Sequence, residues 1–200
     1  MKAEISSKWF WVIVSGVFIT LFLTIILFPD DAPSIRSVIY SNNLNYPKPI
    51  RSELPVRLKI PKINIDSALE YVGLAFDGTM DIPKGPDDAA WFNIGPRPGD
   101  IGSAVVSGHY GWKNEIPAVF DNLHKLQEGD KIYIEDEKGA TITFVVRELR
   151  RYGAKEYASD VFNSNDGLPH LNLITCEGVW NKTEKSYSDR LVVFTDKEIE

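Results

Sequence analysis

A chain of 200 residues with a single cysteine has no internal disulfide and no multi-cysteine metal site. Cys176 is therefore a small buried hydrophobe, half of an intermolecular disulfide, or a reactive thiol. It closes the apolar run Leu171-Asn172-Leu173-Ile174-Thr175, and the next apolar run opens at Arg190-Leu191. The stretch between them, Glu177 to Asp189, is polar and has the composition of a connecting loop. If the two runs are antiparallel neighbours, the cysteine that ends one strand faces the arginine that begins the next. A permanent cation beside a thiol favours thiolate and neutralises an oxyanion that develops during acyl transfer.

A thiol nucleophile also needs a proton carrier, and the chain has three histidines. His170 precedes Cys176 on the same expected strand, which at 3.3 Å per residue puts it about 20 Å away. His124 stands beside Lys125 in a stretch with helical periodicity, where a solvated histidine is the ordinary outcome. His109 follows Ser103-Ala104-Val105-Val106-Ser107-Gly108 and precedes Tyr110-Gly111. It lies at a strand end between two glycines, which let backbone or ligand approach closely. Each histidine has a structural reading, and His109 has the best local case for acid/base work.

The elements that must position these residues are mostly strands. Val56 to Ile60 alternates as Val-Arg-Leu-Lys-Ile and is stopped by Pro61. Ser103 to Ser107, Lys131 to Glu135, Thr141 to Val146, Leu171 to Thr175 and Leu191 to Thr195 complete a set of short apolar or alternating runs divided by turn residues. Such a pattern predicts a β-barrel or sandwich. Apolar residues at 116, 119, 120, 123 and 126 predict one amphipathic helix over Ile116 to Leu126.

Apolar residues make up 44% of the chain and the formal charge is −6. With a pI of about 5.2 and no basic cluster longer than Arg150-Arg151, the chain lacks the basic face that nucleic acid requires. Trp9 to Phe28 is free of charged residues and long enough, at 1.5 Å per residue, to cross a bilayer core of roughly 30 Å. A cleaved signal peptide is the main rival, but Phe28-Pro29-Asp30-Asp31 follows the span instead of a small-x-small site. Lys2 and Lys8 precede the span and Asp30 and Asp31 follow it, so the N-terminus is expected in the cytoplasm and the remainder outside the cell. The expected organisation is a cytoplasmic tail over 1–8, a transmembrane anchor over 9–28, a Pro-, Ser- and Asn-rich stalk over 29–53, and a catalytic domain over 54–200.

Gly108-His109, then Leu173-Ile174-Thr175-Cys176, then an arginine opening the last strand resemble the sortases. Leu58-Lys59-Ile60-Pro61-Lys62-Ile63 is similar to their first strand. Pro98-Gly99-Asp100-Ile101-Gly102 leads into the histidine strand in their manner, and Val119-Phe120-Asp121-Asn122-Leu123 followed by Glu128-Gly129-Asp130 is similar to the segment beyond it. The resemblance covers about Leu54 to Thr195. It implies an eight-stranded β-barrel on the outside of mainly Gram-positive cells. It implies cleavage of a Leu-Pro-x-Thr-Gly-like (LPXTG-like) sorting signal between Thr and Gly. The acyl group then passes to an amine of a peptidoglycan cross-bridge or a pilin lysine. Carried over by position, Cys176 is the nucleophile, His109 the acid/base, Arg190 the anion-stabilising group, and Thr175 part of the substrate and oxyanion site. No cofactor or metal is required by this chemistry, while calcium binding by an acidic loop stays open. Asn172 stands where the family often has threonine, a position expected on the scaffold side. Asp31-Ala32-Pro33 does not match the aromatic Asp-Pro lid of pilus-building members. The overall pattern is nearest to the compact housekeeping-like groups, classes E and F.

Other readings fit less well. An L,D-transpeptidase carries Ser-His-Gly-Cys, and a papain-like peptidase carries Cys-Gly-Ser-Cys-Trp; neither run is present. A surface adhesin or pilin would carry its sorting signal and apolar tail at the C-terminus, whereas this sequence ends Thr195-Asp196-Lys197-Glu198-Ile199-Glu200. A non-catalytic binding module is distinguished by a Cys176 without special reactivity.

Overall fold

The computed structural model describes residues 52–199. The expected cytoplasmic tail, the membrane span and nearly all of the stalk lie outside these residues. Within them, eight strands follow in order: β1 (Pro55–Ile60), β2 (Ile65–Val72), β3 (Ala89–Phe92), β4 (Gly102–Ser107), β5 (Lys131–Asp136), β6 (Thr141–Gly153), β7 (Pro169–Asn181) and β8 (Ser186–Lys197). They close into a barrel in the spatial order β1-β2-β3-β4-β7-β8-β6-β5. Closure pairs β5 with β1 and leaves no free sheet edge. Two neighbouring pairs, β2 with β3 and β4 with β7, are parallel.

The six runs expected from alternation are all strands. In β1, Leu58 and Ile60 are fully buried in the barrel. Arg57 and Lys59 face outward to Asp66 and Glu135. Proline at position 61 offers no N–H to continue the ladder, and the chain turns there. The two strands the patterning does not reveal are β2 and β3. In β2 the inward row is Ile65, Ser67 and Leu69, so a serine interrupts the apolar alternation. Its buried hydroxyl accepts the Ala89 N–H at 3.0 Å and donates to the Ala68 carbonyl at 2.8 Å. β3 is only four residues long and half alanine.

The amphipathic helix expected over Ile116 to Leu126 is not formed. That stretch is a series of turns ending in a single 3-10 turn at Leu123–Lys125. Its backbone donors are drawn to partners outside a helix. Val119 N–H donates to the Pro86 carbonyl, and Phe120 N–H donates to the His109 carbonyl. The Asp121 carboxylate accepts from the N–H groups of both Ala118 and Gly111. Pro117 and a side-chain acceptor competing for local amides both oppose helix propagation. Ile116, which the helical pattern placed on the apolar stripe, is exposed.

Glu177 to Asp189 is likewise not a simple loop. β7 and β8 continue as a hairpin, with Trp180 opposite Tyr187 and Asn181 opposite Ser186. The pairing shifts register between Glu177 and Trp180, where Gly178 adopts φ of 88°. A Cβ there would lie 2.3 Å from both Ser188 Oγ and Asp189 Oδ2, so only glycine fits.

The main core fills the barrel, with Leu171 and Leu173 of β7 and Leu191 and Val193 of β8 pointing inward. Because side chains alternate, Asn172, Ile174 and Cys176 of β7 share the outer face with Arg190, Val192 and Phe194 of β8. On that face lies a second core. Val105, Tyr152, Val192 and Phe194 are covered by Val161, which belongs to the connection between β6 and β7. Met80, Phe92, Phe162 and Ile174 extend it as partly buried apolar groups. Full burial of a valine such as Val161 contributes roughly 1.5–3 kcal/mol, which holds the connection against the barrel. Asn172 belongs to this outer layer and not to the scaffold side expected for it. Its Nδ2 donates to the Val161 carbonyl at 2.7 Å, beneath the same connection.

Candidate active site

Three strands of the barrel, β4, β7 and β8, converge on Cys176. Cys176 and Arg190 are direct partners across the antiparallel β7–β8 ladder. On the other side, the parallel β4–β7 ladder ends at Ser107 opposite Ile174, and the Gly108 N–H continues it to the Ile174 carbonyl at 3.1 Å. One further step in that register would set Gly108 beside Thr175, and two would set His109 beside Cys176. Cys176 and Arg190 are thus paired across β7 and β8, and His109 follows the end of β4 at the same end of the barrel.

Each of the three is held differently. Cys176 is a free thiol, partly exposed. Burial pushes its pKa up, and the Arg190 charge opposes that with the smaller effect. The balance opposes the thiolate that the adjacent cation alone would favour. The Arg190 Nη1 donates to the carbonyls of Tyr187 at 3.2 Å and Asp189 at 2.9 Å. Among the described residues no carboxylate forms an ion pair with it. Glu177 is engaged by Arg151, and Asp189 accepts from the Ser188 hydroxyl. The guanidinium keeps its charge uncompensated beside the thiol.

His109 is partly exposed; its Nε2 lies 2.8 Å from the Pro83 carbonyl, which fixes that nitrogen as the donor and leaves Nδ1 unprotonated in the neutral ring. The Trp112 ring meets the imidazole edge-on at 4.6 Å between centroids. The glycine before it is required by contact: a Cβ on Gly108 would lie 2.4 Å from the buried Phe120 ring. Thr175 is 3% exposed, and its hydroxyl donates to the Gly108 carbonyl at 2.8 Å. Its side chain therefore holds the backbone that leads into His109.

The other two histidines lie elsewhere. His124 is exposed on its 3-10 turn. His170 is 4% exposed at the far end of β7, with Nδ1 2.8 Å from Asp196 and Nε2 2.9 Å from Asp166. Patterning missed an aromatic wall beside Cys176 and Arg190. Tyr187 packs edge-on against Tyr110 at 5.3 Å and against Trp180 at 5.1 Å. Burial raises the Tyr187 hydroxyl pKa first, with Tyr110 and Cys176 adding to it. The signal for Tyr187 was its spacing three residues before Arg190, visible only once both are known to share a strand. Among the described residues no group of three or more His, Cys, Asp or Glu side chains is arranged to hold a metal ion.

The arrangement suits acyl transfer through a thioester, with a partly exposed thiol as nucleophile, a cation paired across the strand from it and a histidine at the same end of the barrel. Solved structures with the same fold include sortase C-1 from Actinomyces oris, with TM-score 0.57 and 22% identity over 85% of this chain and 84% of that one. A lid mutant of sortase A from Corynebacterium diphtheriae gives TM-score 0.58 and 22% identity over 82% and 79% of the two chains. The Clostridium perfringens sortase D5 transpeptidase gives 0.54 and 22% over 72% and 79%. No curated protein sequence matches the chain significantly. Residues 58–198 match the Sortase domain, and the chain belongs to the sortase family of cysteine transpeptidases.

Proposed function

We propose that this protein is a membrane-anchored sortase that cleaves an LPXTG-like signal on secreted proteins between Thr and Gly. It transfers the acyl fragment that ends in Thr to an amine of a peptidoglycan cross-bridge or of a pilin lysine. The observation that supports this reading is the pairing of Cys176 with Arg190 across β7 and β8, with His109 following the end of the neighbouring strand β4. The charge-free span over 9–28 supplies the anchor, with the catalytic domain outside the cell.

In the reaction, His109 takes the thiol proton and the Cys176 sulfur bonds to the Thr carbonyl carbon. Arg190 and a backbone N–H hold the oxyanion of the tetrahedral intermediate. When the C–N bond to Gly breaks, His109 returns the proton to the leaving amine, and the thioester remains. The acceptor amine then attacks the same carbon, gives its proton to His109, and displaces the sulfur, which is reprotonated. Atoms and charges balance without a further reactant. Thr175 contributes by fixing the Gly108-His109 backbone beside Cys176.

The test is incubation of the full chain in mild detergent with LPXTG-like peptides and triglycine, products being read by mass. Wild-type protein is expected to give the Thr–triglycine product, and Cys176→Ala neither cleavage nor transfer. Transpeptidation retained by Cys176→Ala would overturn the reading.

A further inference from the structure

The ring of His109 is held by the connection between β2 and β3, and the hold continues one step further. His109 Nε2 donates to the Pro83 carbonyl at 2.8 Å. The other end of the same peptide unit is also engaged, because the Lys84 N–H donates to Oε1 of Glu70 at 3.1 Å. In a planar trans peptide the carbonyl and the N–H point in opposite directions. The imidazole and the carboxylate therefore grip one peptide from its two sides. Strand register explains why Glu70 is within reach. Glu70 of β2 is opposite Ala90 of β3, and Ala90 is opposite Ser107 of β4, two residues before His109. Leu69 belongs to the inward row of β2, so Glu70 projects outward.

The rest of the connection is built to present that carbonyl. Pro83 is buried, and its ring fixes φ. The Pro86 carbonyl accepts the Val119 N–H at 2.8 Å, and the next N–H, of Phe120, donates to the His109 carbonyl at 3.1 Å. Residues 83–86 are thus tied both to the His109 side chain and to the segment that follows it. Lys84 is exposed, so without Glu70 its N–H would be hydrated and the peptide less firmly oriented. A carboxylate makes a charge-assisted bond to that N–H. The bond also polarises the peptide, which makes its carbonyl a better acceptor for the imidazole. Among the described residues no cation pairs with Glu70, so nothing competes for its carboxylate.

We propose that Glu70 is a positioning residue for His109, acting through the Pro83–Lys84 peptide. Its carboxylate fixes the peptide plane, and the plane aims the Pro83 carbonyl. The carbonyl holds the imidazole with Nε2 as donor and Nδ1 left to exchange a proton. A histidine base is commonly oriented by a group on its second nitrogen; here a peptide stands between the ring and the carboxylate. This rests on the acid/base role given to His109 above. If Glu70 only tied down a surface connection, its loss would lower Tm and leave the ring untouched.

Two measurements on the full chain in mild detergent test it, with the folding of each variant checked by circular dichroism. In the first, kcat and KM for an LPXTG-like peptide are compared in wild type, Glu70→Ala and Glu70→Gln. Glu70→Ala is expected to lower kcat about tenfold, the equivalent of one orienting hydrogen bond, with KM little changed. Glu70→Gln keeps an acceptor for the Lys84 N–H and is expected to recover most of that loss. In the second, ¹H–¹⁵N spectra follow the His109 ring, assigned by its absence in His109→Ala. Wild type is expected to show an Nε2–H resonance that exchanges slowly with water, and Glu70→Ala to lose it. A ring resonance unchanged in Glu70→Ala would overturn the proposal. So would a Glu70→Ala kcat within about twofold of wild type when His109→Ala is inactive. Loss of the ring resonance in Glu70→Ala beside a fully active His109→Ala would instead refute the acid/base reading of His109, and would leave the hold of Glu70 on the ring standing.

Discussion

His109 and His170 flank opposite ends of the paired strands β4 and β7 and are held in opposite ways. His170 is almost wholly buried, with a carboxylate on each ring nitrogen. His109 is half-open, with one nitrogen on a backbone carbonyl and an aromatic edge against the ring. The same contrast separates the cations nearby. Arg150 is enclosed by two carboxylates and a phenol, while Arg190 has only main-chain carbonyls. A side chain whose hydrogen bonds and charge are satisfied within the fold stabilises it and has little left to give a substrate. The end of the barrel around Cys176 keeps more of that capacity unspent.

The sharpest way to break the comparison is to exchange the roles of the two histidines. His109→Ala is expected to lower kcat/KM for peptide cleavage by about 10²–10⁴-fold, the ordinary worth of positioned acid–base catalysis. His170→Ala should stay within a few-fold of wild type. The reverse order in a steady-state assay would show that the register extended from Ser107 does not carry His109 to the sulfur.

Arg190→Ala comes next, with an expected loss of about 10²–10³-fold, as for removal of one oxyanion donor. Arg190→Lys should fall between, since it keeps the charge and loses the planar fork. A folded Arg190→Ala enzyme within threefold of wild type, with folding checked by circular dichroism, would remove the arginine from the chemistry.

A smaller effect concerns the thiol before any substrate binds. Burial raises the Cys176 pKa and Arg190 lowers it by less. The thiolate fraction at neutral pH is therefore small and grows about tenfold per pH unit below the pKa. Alkylation by iodoacetamide should rise accordingly from pH 7 to 8 without levelling off. Removing Arg190 takes away the only lowering influence, so the pKa rises further and alkylation at a given pH slows. A plateau below pH 8 would show that a thiolate is already present in the free enzyme.

The smallest effect is thermal. His170→Ala removes hydrogen bonds to Asp166 and Asp196, whose half-exposed carboxylates are rehydrated. A cost of about 1 kcal/mol is expected, or about 2–4 °C in Tm for a domain of this size. His109→Ala should change Tm less than His170→Ala does, and calorimetry on the two variants checks that order.

Much of the barrel, and the pairing of Cys176 with Arg190, was legible in the residue order. β1, β5 and the apolar cores of β4, β7 and β8 follow from alternation and turn residues, because a strand with one face buried writes its period of two into the chain. Cys176, Arg190 and the Gly108-His109 step were legible too, since a lone cysteine ending one strand and an arginine opening the next need only antiparallel pairing to meet. What the sequence could not supply came from partners distant along the chain. Ser67 hid β2 because its hydroxyl is satisfied by Ala89, more than twenty residues on. The periodicity of Ile116 to Leu126 resembled a helix because apolar spacing does not record where backbone donors go, and here they go to Pro86, His109 and Asp121. Only the tertiary structure decided that burial outweighs the cation at Cys176 and raises the thiol pKa. It likewise decided that Asn172 lies under the β6–β7 connection with an oxygen left over. Sequence determines which groups are present and the period with which they face the core. The enclosure of each group, and so its free valence, is a property of the packed barrel.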